Sequence, residues 1–448
     1  MLKRAAVALA VLVTILMAAG CNSGGSKKSN AVATTTFSAS NPVNINYWVY
    51  FTDPELGVMK QVVAEFEKTH PGIHVTTRGG IDDTKILASI TAGKSPDVAE
   101  SSSSDYSGKY CSTGALIDLN PYLKHDNISA STFPPAPRYY TQYKGNRCAL
   151  PMLADAYGLY YNTAMFRKAG LTHPPRTMSE LTEYAKKLTV RNKDGSLKIV
   201  GLDPANGWYE NAPAHWGPQF GAKWVDAQGH SILAKSPGWK KFLKWQKNLV
   251  DWYGYNNLIK WQAGAGDEFS PSQAFERGKV AMNLDGEWRI SLIKKDGSNV
   301  QYGTAPLPVD DSQPQLYGAG YTSGSILGIP KTAKNKAAAW ELVKYLATNT
   351  KAEALLSNGI ANVPTTTASA RSPLLHNDPR FAIFVRIFNN PNTMTTPVSI
   401  IGAQNQNLFS TFNTAYMAGH AKNLQGGLEN VDKQINAALK QASAGGVP

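Results

Sequence analysis

The sequence predicts an α/β protein with at least two sheets, because segments typical of strands and of helices alternate along the chain. Three observations support this class. The run 43–50 is rich in β-branched and aromatic residues, as in a strand. A helical pattern and a second strand at 73–75 follow, which makes a βαβ unit with parallel strands. The alternation recurs over 448 residues without internal repeats, a length that fits two or three domains.

The first predicted helix has clear boundary signals. Asp53 is expected to be its N-cap, with Pro54 as first residue and Glu55 in the first turn. The apolar residues that fall on one face are Leu56, Met59, Val63 and Phe66. Pro71-Gly72 then ends the helix before the next strand.

Later elements are predicted from the same periodicities and turn residues. Further helices are expected at 85–92, 106–113, 164–169, 239–253, 337–348 and 428–442, and further strands at 97–99, 159–161 and 279–282. Thr177 and Glu180 have the spacing of a capping box, in which the two side chains and the two backbone amides bond reciprocally. We therefore expect a helix to begin after Thr177.

Residues 1–20 have the pattern of a signal peptide. Lys3 and Arg4 precede an apolar stretch at 5–19, which is shorter than the about 20 residues that span a bilayer. Small residues then precede Cys21, as in the bacterial lipobox, so Cys21 is the expected site of lipidation. The alternatives are a cleaved signal with an unmodified cysteine and a buried core helix.

Residues 21–40 are rich in Ser, Gly, Lys, Asn and Thr, with Phe37 as the only large apolar side chain. Such a stretch cannot bury enough apolar surface to order itself, so it is predicted to be a flexible tether. No later segment of the sequence is long and apolar enough to cross a membrane. We expect the protein to lie on the extracytoplasmic face of a bacterial cell membrane, held by its lipid.

The net charge and the distribution of basic residues indicate whether nucleic acid is an expected partner. The formal net charge is +13, but the basic residues are scattered and no basic run reaches five, so nucleic acid is not an expected partner.

With Cys21 assigned to lipid, Cys111 and Cys148 form an even pair in an oxidising compartment. We predict a disulfide between them, with two unpaired buried thiols as the alternative.

Sequence motifs give no indication of catalysis. G-x-S-x-G, H-E-x-x-H and P-loop patterns are absent, and the eight histidines lack metal-ligand spacing. We therefore expect a protein that is not an enzyme and that carries no metal and no cofactor.

Several segments, in this order and spacing, resemble one family along nearly the whole mature chain. They are the lipobox, Trp48, Glu65–Val75, Ser95–Val98, Gly114–Leu119, Pro151–Asn162, Phe275–Met282, Asp285–Trp288, Gly328–Lys331 and 337–346. The chain resembles the family 1 extracellular solute-binding proteins of ABC importers, the group that includes maltose-binding protein.

This resemblance implies a two-lobed fold in which a multi-strand hinge joins two mainly parallel sheets covered by helices. Lobe 1 would comprise 41–154 plus 319–364, and lobe 2 would comprise 155–318 plus 365–448. A monomer of this kind captures a mono- or oligosaccharide between its lobes and delivers it to the transmembrane subunits of an ABC permease. Lobe closure by hinge motion is expected on binding.

A sugar needs aromatic planes to stack on and polar acceptors for its hydroxyls. Trp288 follows Asp285-Gly286-Glu287, where the family places a stacking aromatic, and Asp155 matches the acidic position at the first hinge crossing. Asp105 matches a second acidic position, although a one-residue insertion leaves Ser103 or Ser104 as alternatives. The full predicted ligand-binding set is Trp48, Tyr50, Asp53, Ser103, Asp105, Asp155, Tyr157, Trp208, Trp216, Gly286, Trp288, Tyr321 and Ser323, with Asp83 and Glu210 as weaker candidates.

Two other functions stay open from the residues alone. A membrane-anchored, wall-active glycosidase would also place two carboxylates beside an aromatic cleft. The other is the binding of a non-sugar solute, such as an amino-sugar phosphate, a polyamine or iron. The residues that favour iron are Tyr157, Tyr160 and Tyr161.

Overall fold

The computed structural model of the protein describes residues 35–205, 207–376 and 378–444. The predicted signal peptide, the lipidation site at Cys21 and residues 21–34 of the tether lie outside the described residues. Across the described ranges, no helix combines the length and the apolar character that a membrane span requires.

The described residues form nine strands that belong to one sheet. The strands are β1 (Val43–Trp48), β2 (Ile73–Arg78), β3 (Val98–Ser101), β4 (Leu150–Asn162), β5 (Val190–Arg191), β6 (Leu197–Leu202), β7 (Val280–Gly286), β8 (Tyr302–Ala305) and β9 (Thr322–Gly328). Their spatial order is β2-β1-β3-β9-β4-β7-β6-β5, with β8 paired to β4 outside this path.

Sixteen α-helices accompany these strands within the described residues. They are α1 (Glu55–Thr69), α2 (Asp83–Thr91), α3 (Ser107–Ser112), α4 (Asn120–His125), α5 (Pro135–Tyr140), α6 (Thr163–Lys168), α7 (Met178–Leu188), α8 (Pro213–Trp216), α9 (Pro237–Tyr253), α10 (Tyr255–Gln262), α11 (Arg289–Lys295), α12 (Lys336–Thr348), α13 (Thr350–Ile360), α14 (Phe381–Asn389), α15 (Gln404–Met417) and α16 (Leu424–Ala444). Every helix and strand predicted from the sequence lies within or overlaps one of these elements, so the α/β class is confirmed.

The sheet is mixed, which corrects the expectation of mainly parallel sheets. β1 pairs in parallel with β2 and β3, and β6 pairs in parallel with β7. The pairs β3–β9, β4–β9, β4–β7, β4–β8 and β5–β6 are antiparallel. The physical reason is that β4 and β9 carry the chain across the middle of the sheet in opposite directions.

β4 links the two halves of the fold by changing its partner. Its first part pairs with β9, ending with Asp155 opposite Ser323 and Ala156 opposite Thr322. From Tyr157 onward it pairs with β7, starting opposite Gly286. Any ligand site near this exchange therefore draws residues from both halves.

Separate apolar cores lie on the two sides of this exchange. The first side holds two buried clusters, built around β1–β3 with α1 and α12 and around Tyr110, Cys111 and Cys148. The second side holds one large cluster that includes α7, α9 and parts of α14–α16. Along the chain, cluster membership changes between Leu153 and Ala154, between Tyr321 and Ile326, and between Ile360 and Val363.

Local predictions are partly corrected. Thr177 Oγ1 accepts from the Glu180 amide as predicted, but the Glu180 carboxylate accepts from the Arg176 amide instead of completing the box. Asp53 is not the N-cap of α1, since Pro54 occupies that position and no side chain caps the helix. Phe37, assigned to the tether, packs against the first core, and its backbone contacts Gly72 closely.

The predicted disulfide between Cys111 and Cys148 is present. It joins α3 to the segment just before β4, and both cysteines are buried. The bridge therefore lies within the first side of the fold.

Candidate functional site

A cluster of aromatic rings surrounds Tyr157 at the point where β4 changes partner. The Tyr157 ring centroid lies 3.9 Å from that of His215, 5.6 Å from Trp288, 5.6 Å from Tyr321 and 6.2 Å from Tyr209. These residues come from β4, α8, the residue before α11, the residue before β9 and a short turn before α8. We call Tyr157, Tyr209, His215, Trp288 and Tyr321 the aromatic cluster.

The members of the aromatic cluster differ in access to solvent. Tyr157 and Tyr321 are buried, whereas Tyr209 is 48% exposed and Trp288 is partly exposed. Trp288 Nε1 is a buried donor that has no hydrogen-bond partner among the described residues. Because this donor is covered in the ligand-free structure, a ligand hydroxyl could accept from it only after the neighbouring side chains move.

His215 belongs to this cluster, whereas the ligand contact predicted from the sequence is its neighbour Trp216. Its Nδ1 lies 2.7 Å from the Glu210 carbonyl oxygen, so Nδ1 carries the proton and donates. Burial lowers the pKa of His215 to about 4, which keeps the ring neutral. Trp216 is instead fully buried against Phe242 and Trp245, outside the aromatic cluster.

Gly286, which the sequence predicts to be a ligand contact, lies against the Trp288 ring. A Cβ atom at Gly286 would lie 2.2 Å from the Trp288 ring, closer than any real contact. The glycine therefore lets the Trp288 ring lie flat against the end of β7.

Asp155 lies beside the aromatic cluster, bonds to side chains from two other segments and is linked through one of them to Glu287. Ser323 Oγ is 3.4 Å from its Oδ2, and Asn362 Nδ2 donates to its Oδ1 at 2.8 Å. The same nitrogen donates to Glu287 Oε1 at 2.9 Å. Asp155 is partly exposed, whereas Glu287 is fully buried. Of the two carboxylates, only Asp155 can reach a ligand.

Asp105 contacts residues that the sequence analysis did not identify. Its Oδ1 accepts from Thr396 Oγ1 at 2.5 Å and its Oδ2 accepts from Gln406 Nε2 at 2.6 Å. Ser103 Oγ also donates to Oδ2, at 3.2 Å, while Ser104 is buried. Since Thr396 Oγ1 lies 3.2 Å from the Tyr321 hydroxyl, this group extends to the aromatic cluster.

The residues predicted near the first strand lie apart from the aromatic cluster. Trp48 is partly buried beneath Arg78, whose guanidinium carbon lies 5.8 Å from the ring centroid. Tyr50 is 51% exposed, and its amide donates to Glu100 Oε2 at 2.6 Å. Asp53 is exposed. No hydrogen bond or ring contact within the described residues joins these three to the cluster.

The remaining candidates are buried or partly buried. Trp208 is partly buried against the second core, directly before Tyr209. Asp83 is buried and its Oδ1 accepts from the Tyr110 hydroxyl at 2.6 Å. Glu210 is buried 3.7 Å from Arg289.

Arg289 holds together the segments that carry Tyr209 and Trp288. Its Nε lies 2.7 Å from Asp285 Oδ2, and its Nη1 lies 3.3 Å from Glu276 Oε1. Its Nη2 also donates to the Glu268 carbonyl oxygen at 2.6 Å. The guanidinium is fully buried, and burial raises the pKa of Glu210, Glu276 and Asp285. One cation thus faces three buried carboxyl groups.

Metal ligands do not converge anywhere in the described part of the chain. No group of three or more His, Cys, Asp and Glu side chains there has the geometry of a metal site. The arrangement is suited instead to an uncharged, hydroxyl-bearing molecule, since it offers aromatic faces, an indole donor and carboxylate acceptors.

A two-lobed α/β fold with its aromatic cluster at the crossing strands defines a ligand-binding protein of the two-lobed class. The family model of the bacterial extracellular solute-binding protein matches residues 61–383. The chain therefore belongs to this family of bacterial extracellular solute-binding proteins, which confirms the resemblance drawn from the sequence.

Individual relatives agree with this assignment. A maltotriose-binding protein from Pyrococcus abyssi is 25% identical over 339 residues, which cover 74% of this chain and 68% of the relative. A maltooligosaccharide ABC transporter solute-binding lipoprotein from Streptococcus pneumoniae is 24% identical over 406 residues, which cover 87% of this chain and 86% of the relative. The structure of CpMnBP1 with mannotriose bound has a TM-score of 0.75 at 26% identity, covering 87% of this chain and 99% of that one.

Proposed function

We propose that this protein binds a mono- or oligosaccharide at the aromatic cluster and delivers it to the transmembrane subunits of an ABC importer. The single observation that carries the proposal is the aromatic cluster around Tyr157, with the unpartnered Trp288 Nε1 and the Asp155 carboxylate beside it. Relatives whose names refer to maltotriose and maltooligosaccharides, and a similar structure with mannotriose bound, support a sugar as the ligand.

The proposed lobes are those expected from the sequence, with lobe 1 at 41–154 plus 319–364 and lobe 2 at 155–318 plus 365–448. The three changes in core membership, near Ala154, after Tyr321 and before Val363, support these boundaries. Asp105 then belongs to lobe 1, and most of the aromatic cluster belongs to lobe 2. A sugar between them would contact both lobes, so its binding would favour the closed form.

We also propose that a lipid anchors the protein to the membrane. A monomer attached through a lipid on Cys21 would stay on the extracytoplasmic face of the cell membrane, close to its permease. The match to the Streptococcus pneumoniae relative covers 86% of that protein, which is named a lipoprotein, and this supports a lipid anchor here. An intact mass of the mature protein that matches unmodified Cys21 would contradict it.

A wall-active glycosidase is the second candidate, because Asp155 and Glu287 are two neighbouring carboxyl groups whose pKa values are raised by burial. We propose binding without catalysis, since Glu287 is fully buried and cannot reach a glycosidic oxygen. The test is product analysis after prolonged incubation with oligosaccharides. Hydrolysis that Asp155→Asn abolishes would overturn the binding proposal.

A further inference from the structure

We propose that Glu287 and Asn362 are positioning residues that aim the Asp155 carboxylate at the ligand and set its charge. This inference rests on the proposed sugar-binding function only for its consequence on affinity. The arrangement itself can be tested on the ligand-free protein.

The geometry begins with one shared amide. Asn362 Nδ2 donates to Asp155 Oδ1 at 2.8 Å and to Glu287 Oε1 at 2.9 Å. A carboxylate oxygen can only accept when ionised, so the amide nitrogen must face both groups. Both hydrogens of that nitrogen are thereby used, and the two carboxyl groups are held on either side of it.

Glu287 is itself fixed to the strand that carries Asp155. Its Oε2 accepts from the Ala156 amide at 2.8 Å, and its side chain is fully buried. Asn362 is 7% exposed and lies just before Val363, which bridges to Ala154. Asp155, which is itself on β4, is therefore held between Glu287 at the end of β7 and Asn362 in the segment where the chain passes between the two cores.

The charges around Asp155 are almost all negative or neutral. Glu287 is one carboxyl neighbour and Glu100 of β3 is another, while the neighbouring phenols are Tyr140 of α5, Tyr157 and Tyr209. Burial raises the pKa of Asp155 to about 7, and burial together with the Asp155 charge raises the pKa of Glu287 well above its usual value. Asn362 and Ser323 donate to Asp155 and so oppose this rise.

The direction in which pH changes sugar affinity follows from the ionisation of Asp155. An ionised acceptor makes the stronger hydrogen bond to a sugar hydroxyl, so affinity should be greatest above the midpoint of Asp155 and lost as pH falls through it. If only the ionised form binds, affinity should fall about tenfold for each pH unit below the midpoint.

The two positioning residues should change the titration of Asp155 in different ways. Glu287→Gln removes the second carboxyl group that shares the Asn362 amide, so Asp155 should titrate alone and its titration curve should differ from that of the wild type. Asn362→Ala removes a donor to the ionised form, so Asp155 should ionise at higher pH. A role limited to packing would lower stability in both variants without changing the titration of Asp155.

The experiment uses the full mature chain with aspartate carboxyl carbons labelled with ¹³C, and follows the Asp155 signal by NMR from about pH 5 to about pH 9. Asp155→Asn assigns the signal, and Glu429→Gln, an exposed glutamate of α16, is the matched control. Maltotriose and mannotriose affinities are measured over the same range. We expect an altered Asp155 titration curve in Glu287→Gln and a higher Asp155 midpoint in Asn362→Ala, with matching changes of the affinity profile.

The outcomes separate the two proposals. An Asp155 titration curve that is unchanged in Glu287→Gln overturns the positioning role, whether or not sugars bind. Should Glu287→Gln fail to fold, an unchanged or lowered midpoint in Asn362→Ala overturns it. An altered Asp155 titration in both variants without affinity for any sugar supports the positioning of Asp155 and overturns the sugar-binding function.

Discussion

Asp105 and Thr396 are joined by a hydrogen bond between the two proposed lobes, with the Thr396 hydroxyl 2.5 Å from the Asp105 carboxylate. Gln406 donates to the other oxygen of the same carboxylate at 2.6 Å. Within the described residues, Ser103 is the side chain of the same lobe that donates to the Asp105 carboxylate. The Asp105–Thr396 bond therefore connects the two proposed lobes through a residue that the sequence predicts to bind the ligand.

We expect Asp105→Ala to favour the open form of the ligand-free protein. The variant removes two bonds to a charged group, each of which contributes roughly 1.5–3 kcal/mol. Small-angle X-ray scattering should then show a larger radius of gyration than the wild type. Asp251→Ala, at an exposed aspartate of α9, is the control, and equal radii for Asp105→Ala and this control would contradict the prediction.

Trp288→Ala should weaken sugar binding more than any other single change in the aromatic cluster. It removes a stacking face worth about 1 kcal/mol beyond area burial, together with the unpartnered Nε1 donor, so a loss of tenfold or more is expected. Isothermal titration calorimetry measures the change. Trp252→Ala, at a surface tryptophan stacked on Arg191, is the control, and similar affinities for both variants would show that Trp288 does not contact the ligand.

Gly286→Ala tests the position of that ring rather than its presence. The added methyl would lie 2.2 Å from the Trp288 ring, so the ring must move. We expect weaker sugar binding and a shift of the tryptophan emission maximum while the protein remains folded. An unaltered emission spectrum and affinity would mean that the ring position at β7 is not constrained by Gly286.

Arg289→Met should destabilise the protein strongly at neutral pH. It leaves Glu210, Glu276 and Asp285 without their buried cation, a change that typically costs about 3–5 kcal/mol. Because burial raises the pKa of each carboxyl group in the folded state, the loss should shrink as pH falls and these groups become protonated.

Urea unfolding at several pH values measures this effect, with Arg277→Met, at an exposed arginine, as the control. A loss of stability that is equal at acidic and neutral pH would contradict the electrostatic explanation. In that case the role of Arg289 would lie in packing alone.

Removing the disulfide should lower stability without removing the ligand site. The bridge closes a loop with a sequence separation of 37 residues, for which the chain-entropy model gives about 4 kcal/mol. The variant Cys111→Ser/Cys148→Ser should therefore unfold at lower urea concentration, and added reductant should not change it further. Equal unfolding midpoints for the wild type with and without reductant would contradict this expectation.

The sequence was most informative where the deciding interactions are local. Periodicity located α1, α7, α9 and α16, and Thr177 caps α7 as its residue type suggests. Asp155 and Trp288 were predicted to bind the ligand through a resemblance whose motifs surround them, and both lie at or beside the aromatic cluster. By contrast, the mixed sheet depends on the direction in which β9 returns, which no local pattern records.

The parts of the site that were missed depend on long-range contacts. Thr396 is 291 residues from Asp105, and Asn362 is 207 residues from Asp155. His215 and Trp216 are adjacent in the four-residue helix α8, which is too short for periodicity to show which side chain meets the core. Only the fold places His215 in the aromatic cluster and Trp216 against Phe242 and Trp245.

The central claim is that the aromatic cluster binds a carbohydrate, and a thermal-unfolding screen of the mature protein against a panel of mono- and oligosaccharides tests it most directly. At 100 times its dissociation constant a true ligand should stabilise the folded state by about 2.7 kcal/mol, a shift that Trp288→Ala should reduce. The account predicts such a shift with at least one oligosaccharide of the maltose or mannose series. A panel in which no carbohydrate raises the unfolding temperature would contradict it.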